Sequence, residues 1–206
     1  MLTFLAAAFD NLVFIAERPS MGRPLTATDD DILAAARRVL ERRGLIGFSV
    51  AEVAREVGLS RAAINQRFHS ARSLQKIILD QLAEEFETVI ASFAFSHGGA
   101  GLIEIAGLIG RMSGTRAHLR ANLGAPADVE GADYRELEQR RGSALKAAIA
   151  AVMPVTAVAK DDSVDLFLAH LSGSQLAWLS GDGPDSAESF LRERTALWLV
   201  LAGVSD

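Results

Sequence analysis

The chain of 206 residues is half hydrophobic and has no cysteine, so it can bury a sizeable core, and disulfides, thiolate catalysis and cysteine-bound zinc are excluded. The net charge of −5 excludes a wholly basic nucleic-acid coat. The charge is uneven, however, because residues 21–80 carry ten Lys/Arg and seven Asp/Glu, whereas the rest of the chain carries 11 Lys/Arg and 19 Asp/Glu. A mildly basic N-terminal third on an acidic body is typical of a DNA-contacting module joined to a separate domain.

Residues 1–20 are mostly apolar but are interrupted by Asp10 and Asn11. They lack the basic start of a secretion signal, and no run approaches the roughly 20 apolar residues that a membrane helix needs. We therefore expect a cytoplasmic protein with no membrane partner. The segment is either an extra helix or an extension upstream of a natural start at Met21; the polar arm behind Met21 favours the second, so 1–20 is an N-terminal extension of uncertain role.

Apolar residues recur every three or four positions, and no long stretch alternates as a half-buried strand would, so the sequence predicts an all-α fold. Caps and glycines place helices at about 28–44, 49–58, 60–68, 70–92, 102–112, 114–122, 131–152, 162–180 and 186–203. The second of these helices begins at a predicted capping box, Ser49-Val50-Ala51-Glu52.

The segment from Val50 to Phe68 has the spacing of a helix-turn-helix. Ala54 would lie where the two helices approach most closely, and Gly58 can take the positive φ that a sharp turn requires. Leu59 and Ile64 would hold the third helix on the second. The outward positions are then Arg61, Ala62, Asn65 and Gln66. An ordinary helical hairpin with a polar outer face is the alternative, and the coincidence of these features with a basic local charge favours a DNA-reading helix.

The first helix and the stretch GFSVAEVAREVGLSRAAINQRFHSARSLQKIIL (47–79) resemble the DNA-binding domain of the tetracycline-repressor (TetR) family. The resemblance is specific over residues 28–82; beyond them it is architectural, and 165–203 is similar to the family's two closing dimer helices. It implies a helix-turn-helix DNA-binding domain over 21–70 and a helical effector-binding and dimerisation domain over 71–206. It further implies a homodimeric regulator, expected to be a repressor, that a small-molecule effector releases from a palindromic double-stranded DNA operator.

The resemblance and the side-chain chemistry together predict the DNA-contacting residues Ser49, Ser60, Arg61, Ala62, Asn65, Gln66, Arg67, His69 and Arg72. The two serines, at helix starts, would meet phosphates. Arg61 and Gln66 would read base edges. Arg67, His69 and Arg72 would contact phosphates.

Two positions depart from the family pattern: Asn65 stands where an aromatic residue is usual, and Ala71 stands where a lysine is usual. Asn65 can still donate to a phosphate or pair with adenine, and Arg72 can replace the lysine. The alternative function is a helical ligand-binding or interaction protein whose degenerate helix-turn-helix no longer binds DNA.

The body offers two further sets of candidates. An apolar effector cavity could be lined by Phe86, Phe93, Leu108, Met112 and Leu145, which could equally be plain core residues. Because the last helix is apolar almost all round, it must be covered on several sides. Two closing helices from each subunit would form a four-helix bundle, with the candidate contacts Phe167, Leu171, Trp178, Leu197 and Trp198.

Features of an enzyme are missing from the sequence. It has no glycine-rich phosphate loop after a strand, no G-x-S-x-G motif, and no His/Asp/Glu cluster with metal-ligand spacing. We therefore expect no catalytic activity, no cofactor and no metal.

Overall fold

The computed structural model describes residues 27–116, 119, 131–181 and 186–204, which form helices and connecting segments without strands. The helices are α1 (Asp29–Gly47), α2 (Val50–Val57), α3 (Arg61–Phe68), α4 (Ala71–Ser92), α5 (Gly99–Ser113), α6 (Ala132–Val152), α7 (Lys160–Ser180) and α8 (Ala187–Leu201). The all-α prediction is confirmed. The extension at 1–20 and most of the predicted helix at 114–122 lie outside the described residues.

The start of α1 is fixed by a reciprocal cap. The Thr28 hydroxyl accepts the Asp31 N–H at 3.1 Å, and the Asp31 carboxylate accepts the Thr28 N–H at 2.8 Å. These hydrogen bonds to the charged carboxylate hold the pKa of Asp31 below its usual value. Gly44 has φ 68°, which interrupts the helical backbone before a last turn that ends at Gly47.

The capping box predicted at the start of α2 is wrong. Ser49 makes no side-chain cap hydrogen bond, although its backbone carbonyl accepts the Glu52 N–H at 3.0 Å. The Glu52 carboxylate instead accepts two hydrogen bonds from Arg43 of α1, at 2.9 and 3.2 Å. A cationic donor is the stronger partner for a carboxylate, and only the tertiary packing of α1 on α2 brings that donor within reach.

Helix α4 links the two halves of the molecule. Its buried residues are Leu74, Ile78, Leu79, Leu82, Ala83, Phe86 and Ile90, which follow the helical period. It packs on α1, α3 and α6. The Arg37 guanidinium of α1 donates to Glu85 of α4 at 2.6 Å, a further tie between the first three helices and the body.

The body is built around the close approach of α5 to α8, with α7 packed on α6 and α8. Two glycines of α5 make that approach possible. A Cβ at Gly110 would lie 2.5 Å from the Cα of Glu188, and one at Gly107 would clash with the Arg192 guanidinium. Helix α5 begins at Gly99, three residues before its predicted start. Gly99 and Gly101 are buried and belong to the packed helix.

Candidate nucleic-acid interface

The turn between α2 and α3 has the geometry that the sequence predicted. Ala54 is buried, and Gly58 adopts the left-handed conformation with φ 68° and ψ 26°. The Leu59 N–H donates to the Ala54 carbonyl at 2.9 Å, which closes the turn. Glycine is favoured here because a Cβ at positive φ costs roughly 1 kcal/mol or more.

Helix α3 presents a polar face away from the core. Ile64 and Phe68 are buried on its inner side, and the Ser60 hydroxyl caps it by accepting the Ala63 N–H at 3.1 Å. The predicted outward residues Arg61, Ala62, Asn65 and Gln66 are all exposed. At about 100° per residue, Ala62 and Gln66 lie nearly opposite Ile64. The orientation of the helix expected from the sequence is therefore confirmed.

Two arginines of α1 already have an acidic partner on α2. On α1, Arg38 donates to Glu56 of α2 at 3.2 Å, and Arg42 pairs with the same carboxylate. These ion pairs hold the pKa of Glu56 below its usual value, against the opposing effect of burial. They fasten α1 to α2 and occupy both guanidinium groups.

Three of the predicted phosphate contacts are placed around the ends of α3 and the start of α4. Arg67 donates to the Ala27 carbonyl at 2.6 Å, which ties α3 to the segment before α1. Arg72 lies 3.1 Å from an Asp133 oxygen of α6, yet its side chain is 72% exposed. His69 is exposed and has φ 67°, a conformation rare for residues other than glycine.

Within the helix-turn-helix, two exposed arginines form no ion pair with the described residues: Arg61 at the start of α3 and Arg55 on α2. Arg55 was not among the residues predicted from sequence. Its position on the exposed side of the helix before the reading helix was a usable signal, because that helix crosses the phosphate backbone in helix-turn-helix proteins. Ser49, half-buried at the start of α2, also has a hydroxyl that caps nothing.

A cavity of about 160 Å³ lies in the body between α4, α5, α6 and α7. Its lining includes Phe86, Ile109, Glu138, Arg141, Leu145, Leu168 and Leu171. Of the five predicted effector residues, the structure brings Phe86 and Leu145 together here. Leu108 and Met112 are buried in the core on α5 but do not line this cavity, and Phe93 lies beyond the end of α4, 43% exposed and stacked on Phe95 at 5.6 Å.

Three of the predicted dimer contacts require correction: Phe167, Leu171 and Trp178 are almost completely buried within their own protomer. They therefore cannot form a partner surface. Leu197 is 52% exposed, and half-buried Trp198 packs edge-to-face on Phe167 with ring centroids 5.0 Å apart. The exposed large apolar residues on α7 and α8 are Leu166, Leu176, Leu197, Val200 and Leu201. Helix α7 carries apolar residues on two faces, so its period alone does not distinguish the core face from an outer one.

Within the described ranges, no helix is long and apolar enough to cross a bilayer. The same ranges contain no group of three histidine or carboxylate side chains that could hold a metal ion.

Residues 32–74, which include the whole helix-turn-helix, match the family model for bacterial regulatory proteins of the tetR family. The whole fold is similar to a transcriptional regulator from Rhodococcus sp. Rha1, with a TM-score of 0.61 and 18% identity over 87% of this chain and 100% of that one. The helix-turn-helix region of this chain therefore matches the DNA-binding domain of the tetR family.

Other solved structures have a similar fold. A TetR transcription regulator from Haloarcula marismortui has a TM-score of 0.58 at 19% identity and covers 84% of this chain and 95% of its own. The transcriptional regulator FadR from Bacillus subtilis, in complex with stearoyl-CoA, has a TM-score of 0.57 at 13% identity, and the match covers 87% of this chain and 100% of that one. No curated protein sequence matches the chain significantly.

Proposed function

We propose that this protein is a ligand-responsive transcriptional repressor of the TetR family that binds a palindromic operator as a homodimer and is released by a small-molecule effector. In this proposal residues 21–70 bind DNA, and residues 71–206 bind the effector and dimerise. The observation that supports it most strongly is the exposed polar face of α3, on which Arg61 has no intramolecular ion pair among the described residues.

The proposed DNA contacts follow from which groups are available. Arg61 and Gln66 would read base edges in the major groove, and exposed Asn65 can pair with adenine or donate to a phosphate. The unused hydroxyl of Ser49, the first-turn N–H groups behind Ser60, and Arg55 would meet phosphates. Exposed Ala62 allows the backbone of α3 to come close to the duplex.

Other phosphate contacts would require exchange of partners. Arg67 and Arg72 would leave Asp29 and Asp133, to which they lie 3.4 and 3.1 Å away. Such exposed ion pairs contribute little, typically about 0–1 kcal/mol. Binding of either arginine to a DNA phosphate would release counterions, so a phosphate can compete with the present acidic partner. Exposed His69 would lie beside the two arginines.

The homodimer is supported by the exposed apolar faces of α7 and α8. Leu166, Leu176 and Leu197 are each more than half exposed, and Val200 and Leu201 still more so. Two such helix pairs can cover one another as a four-helix bundle. A two-fold dimer would also place two α3 helices for successive major grooves, which requires a separation of about 34–36 Å.

Effector release is supported by the position of α4. Its Glu85 is tied to Arg37 of α1, and its Phe86, the next residue, lines the body cavity. Ion pairs also join α4 to α6: Arg72 with Asp133, Lys76 with Glu136 at 3.3 Å, and Glu87 with Arg140 at 2.6 Å. A ligand that prefers one arrangement of these helices would shift the spacing of the two reading helices.

Electrophoretic mobility shift with DNA from upstream of the protein's own gene tests this function. We expect a discrete complex that Arg61→Ala weakens strongly. Arg111→Ala, which removes an exposed arginine from α5 in the body, is the matched control and should bind as the wild type does. Equal binding by wild type and Arg61→Ala would remove Arg61 from the DNA contacts, and the absence of a complex at low salt would favour the degenerate helix-turn-helix instead.

A further inference from the structure

The exposed side of α7 carries no formal charge along most of its length. Between Leu166 and Ser180 the chain has no Asp, Glu, Lys or Arg, although 23% of all its residues are charged. His170 is the one titratable side chain in this stretch, and burial, together with the nearby Arg194 of α8, lowers its pKa, so it is neutral near pH 7. Leu166 and Leu176 are 56% and 57% exposed in the protomer. An exposed helix surface that is both apolar and uncharged marks a site of protein association.

Small residues lie along the middle of this surface. Ala169, Gly173 and Ala177 are all exposed and are spaced four apart, so they follow one side of the helix. The distance between two packed helices depends on the side chains at their contact. Another helix could therefore approach α7 most closely at Gly173, which lies midway along the uncharged stretch.

Nothing in the described part of the protomer requires a glycine at position 173. The φ angle of Gly173 is not positive, and an added Cβ would meet no atom within 4 Å. A glycine inside a helix is destabilising relative to alanine. Gly142 of α6 is similarly open, but the residues four positions before and after it are Glu138 and Lys146, whereas those around Gly173 are both alanine. A second helix that crosses at Gly173 gives the missing side chain a structural reason.

A second copy of the chain is the partner that fits this surface. In a two-fold dimer each residue beside the axis meets its own copy, so a charge there would face a like charge. The uncharged stretch of α7 meets that condition. Helices α7 and α8, of 21 and 15 residues, are about 30 and 22 Å long, and two packed helices are about 20 Å wide. A face of this size is of the order that a standard interface buries, roughly 800 Å² on each partner.

From these observations we propose that α7 crosses the α7 of a second copy at Gly173, with the two-fold axis beside this residue and perpendicular to the helix. Ala169 of one protomer then lies opposite the partner's Ala177. The exposed apolar residues of α8 flank the crossing and complete the contact; they are Leu197, Val200 and Leu201. The inference rests on the proposed function in that it gives the geometry of the proposed homodimer.

Disulfide crosslinking tests the crossing, because the chain has no cysteine of its own. A disulfide requires Cα atoms about 4.4–6.8 Å apart, so a single introduced cysteine bonds to its own copy only beside the axis. We expect Gly173→Cys to give a covalent dimer on a non-reducing gel after oxidation with copper phenanthroline. Gly142→Cys also replaces an exposed helical glycine with open space around it, so it is the matched control and should not crosslink.

A pair of cysteine variants tests the register of the two helices. Ala169 and Ala177 lie one turn to either side of Gly173, so neither Ala169→Cys nor Ala177→Cys should bond to its own copy. A mixture of the two variants that has exchanged subunits should crosslink, and a size tag on one variant identifies the mixed product. Faster self-crosslinking of either alanine variant than of Gly173→Cys would move the axis away from Gly173 and overturn the proposal.

Added bulk at the crossing gives a measurement that does not depend on thiol chemistry. Gly173→Leu should weaken the dimer at least about tenfold, because a side chain with free space in the protomer would occupy the place of the partner's helix. Gly142→Leu should leave the dimer unchanged. Sedimentation velocity measures the association, and circular dichroism checks that both variants are folded. Equal association of wild type and Gly173→Leu would also overturn the proposal.

The outcome for the proposed function is read separately. A crosslinked Gly173→Cys dimer that forms no operator complex would sustain this interface and reject the repressor. A dimer that binds the operator but does not crosslink at Gly173 would reject the crossing and leave the proposed function in place.

Discussion

The amide of Gln66 lies one helical turn after Ala62 on the exposed face of α3, where a major-groove base edge would meet it. Removing a base contact affects one position of the site, whereas removing a phosphate contact weakens binding to all sequences alike. We expect Gln66→Ala to relax base preference at one operator position by roughly 1–3 kcal/mol. Binding to a library of single-base operator variants measures this change.

Gln81→Ala is the matched control, because Gln81 is an exposed glutamine of α4 beyond the reading helix. It should leave every position of the specificity profile unchanged. Uniform weakening by Gln66→Ala across all operator variants would make Gln66 a phosphate contact.

His69 stores backbone strain between the reading helix and α4. Its φ of 67° and ψ of −46° bend the chain so sharply that the Ser70 N–H donates to the Phe68 carbonyl at 2.7 Å. Such conformations cost about 1–3 kcal/mol for a residue with a Cβ. We expect His69→Gly to raise the free energy of unfolding by about 1 kcal/mol, because part of the relief is offset by the greater freedom of glycine when unfolded.

Urea denaturation checks the effect of His69→Gly, with Ala62→Gly as the comparison. The latter places glycine inside α3 and should cost about 1 kcal/mol. An equal loss of stability in both variants would show that the turn at His69 is unstrained.

Among the elements, the pairing of α5 with α8 depends on Gly110. A Cβ there would meet the backbone of Glu188, which cannot move aside as a flexible side chain could. We expect Gly110→Ala to lower the free energy of unfolding, since overpacking costs about 1–3 kcal/mol and outweighs the roughly 0.5–1 kcal/mol that alanine gains in a helix. Thermal denaturation followed by circular dichroism measures the change.

Gly142→Ala provides the control on α6, where an added Cβ meets no atom within 4 Å. It should raise the melting temperature through helix propensity alone. A lower melting temperature for Gly142→Ala than for Gly110→Ala would contradict the importance of the α5–α8 approach.

Local sequence signals predicted the helices well and their tertiary neighbours less well. Thr28, Ser60 and Gly58 act within a turn of their own position, so their roles could be inferred from the sequence alone. The predicted cap at Ser49 was wrong because Glu52 is bound by Arg43 from another helix. Such competition depends on how α1 packs on α2, which periodicity does not specify.

The candidate sites show the same division. The outward face of α3 follows from one helix and its inward residue Ile64, so it could be predicted. The cavity requires four helices to meet, and sequence reasoning therefore missed Arg141 and included Phe93, which lies beyond the end of α4. The sequence analysis assigned Phe167 and Trp178 to a dimer surface, whereas both are buried within the protomer. An apolar residue is expected to be buried, but its type does not say whether the same protomer or a partner covers it.

For the whole molecule, the exposed apolar face of α7 and α8 predicts the homodimer. Leu197 is 52% exposed in the protomer, so a charge there is tolerated by the isolated subunit and is costly only when a partner covers it. We expect Leu197→Glu to yield a folded monomer with much weaker operator binding. Sedimentation velocity gives the mass, and circular dichroism reports the retained helix content.

Val155→Glu is the control, because Val155 is 95% exposed and lies outside the helices. It should remain dimeric. A dimeric Leu197→Glu variant with unchanged affinity for DNA would place the dimer contact on another surface.

The central claim is that two α3 helices of a dimer read two operator half-sites. A DNase footprint of the upstream region of the protein's own gene, at low and at physiological salt, tests it most directly. We predict a protected palindrome at low salt, with half-sites separated by about one helical turn or a multiple of it, and an affinity that falls steeply as salt rises. Protection of a single half-site, or no protection at low salt, would contradict the claim.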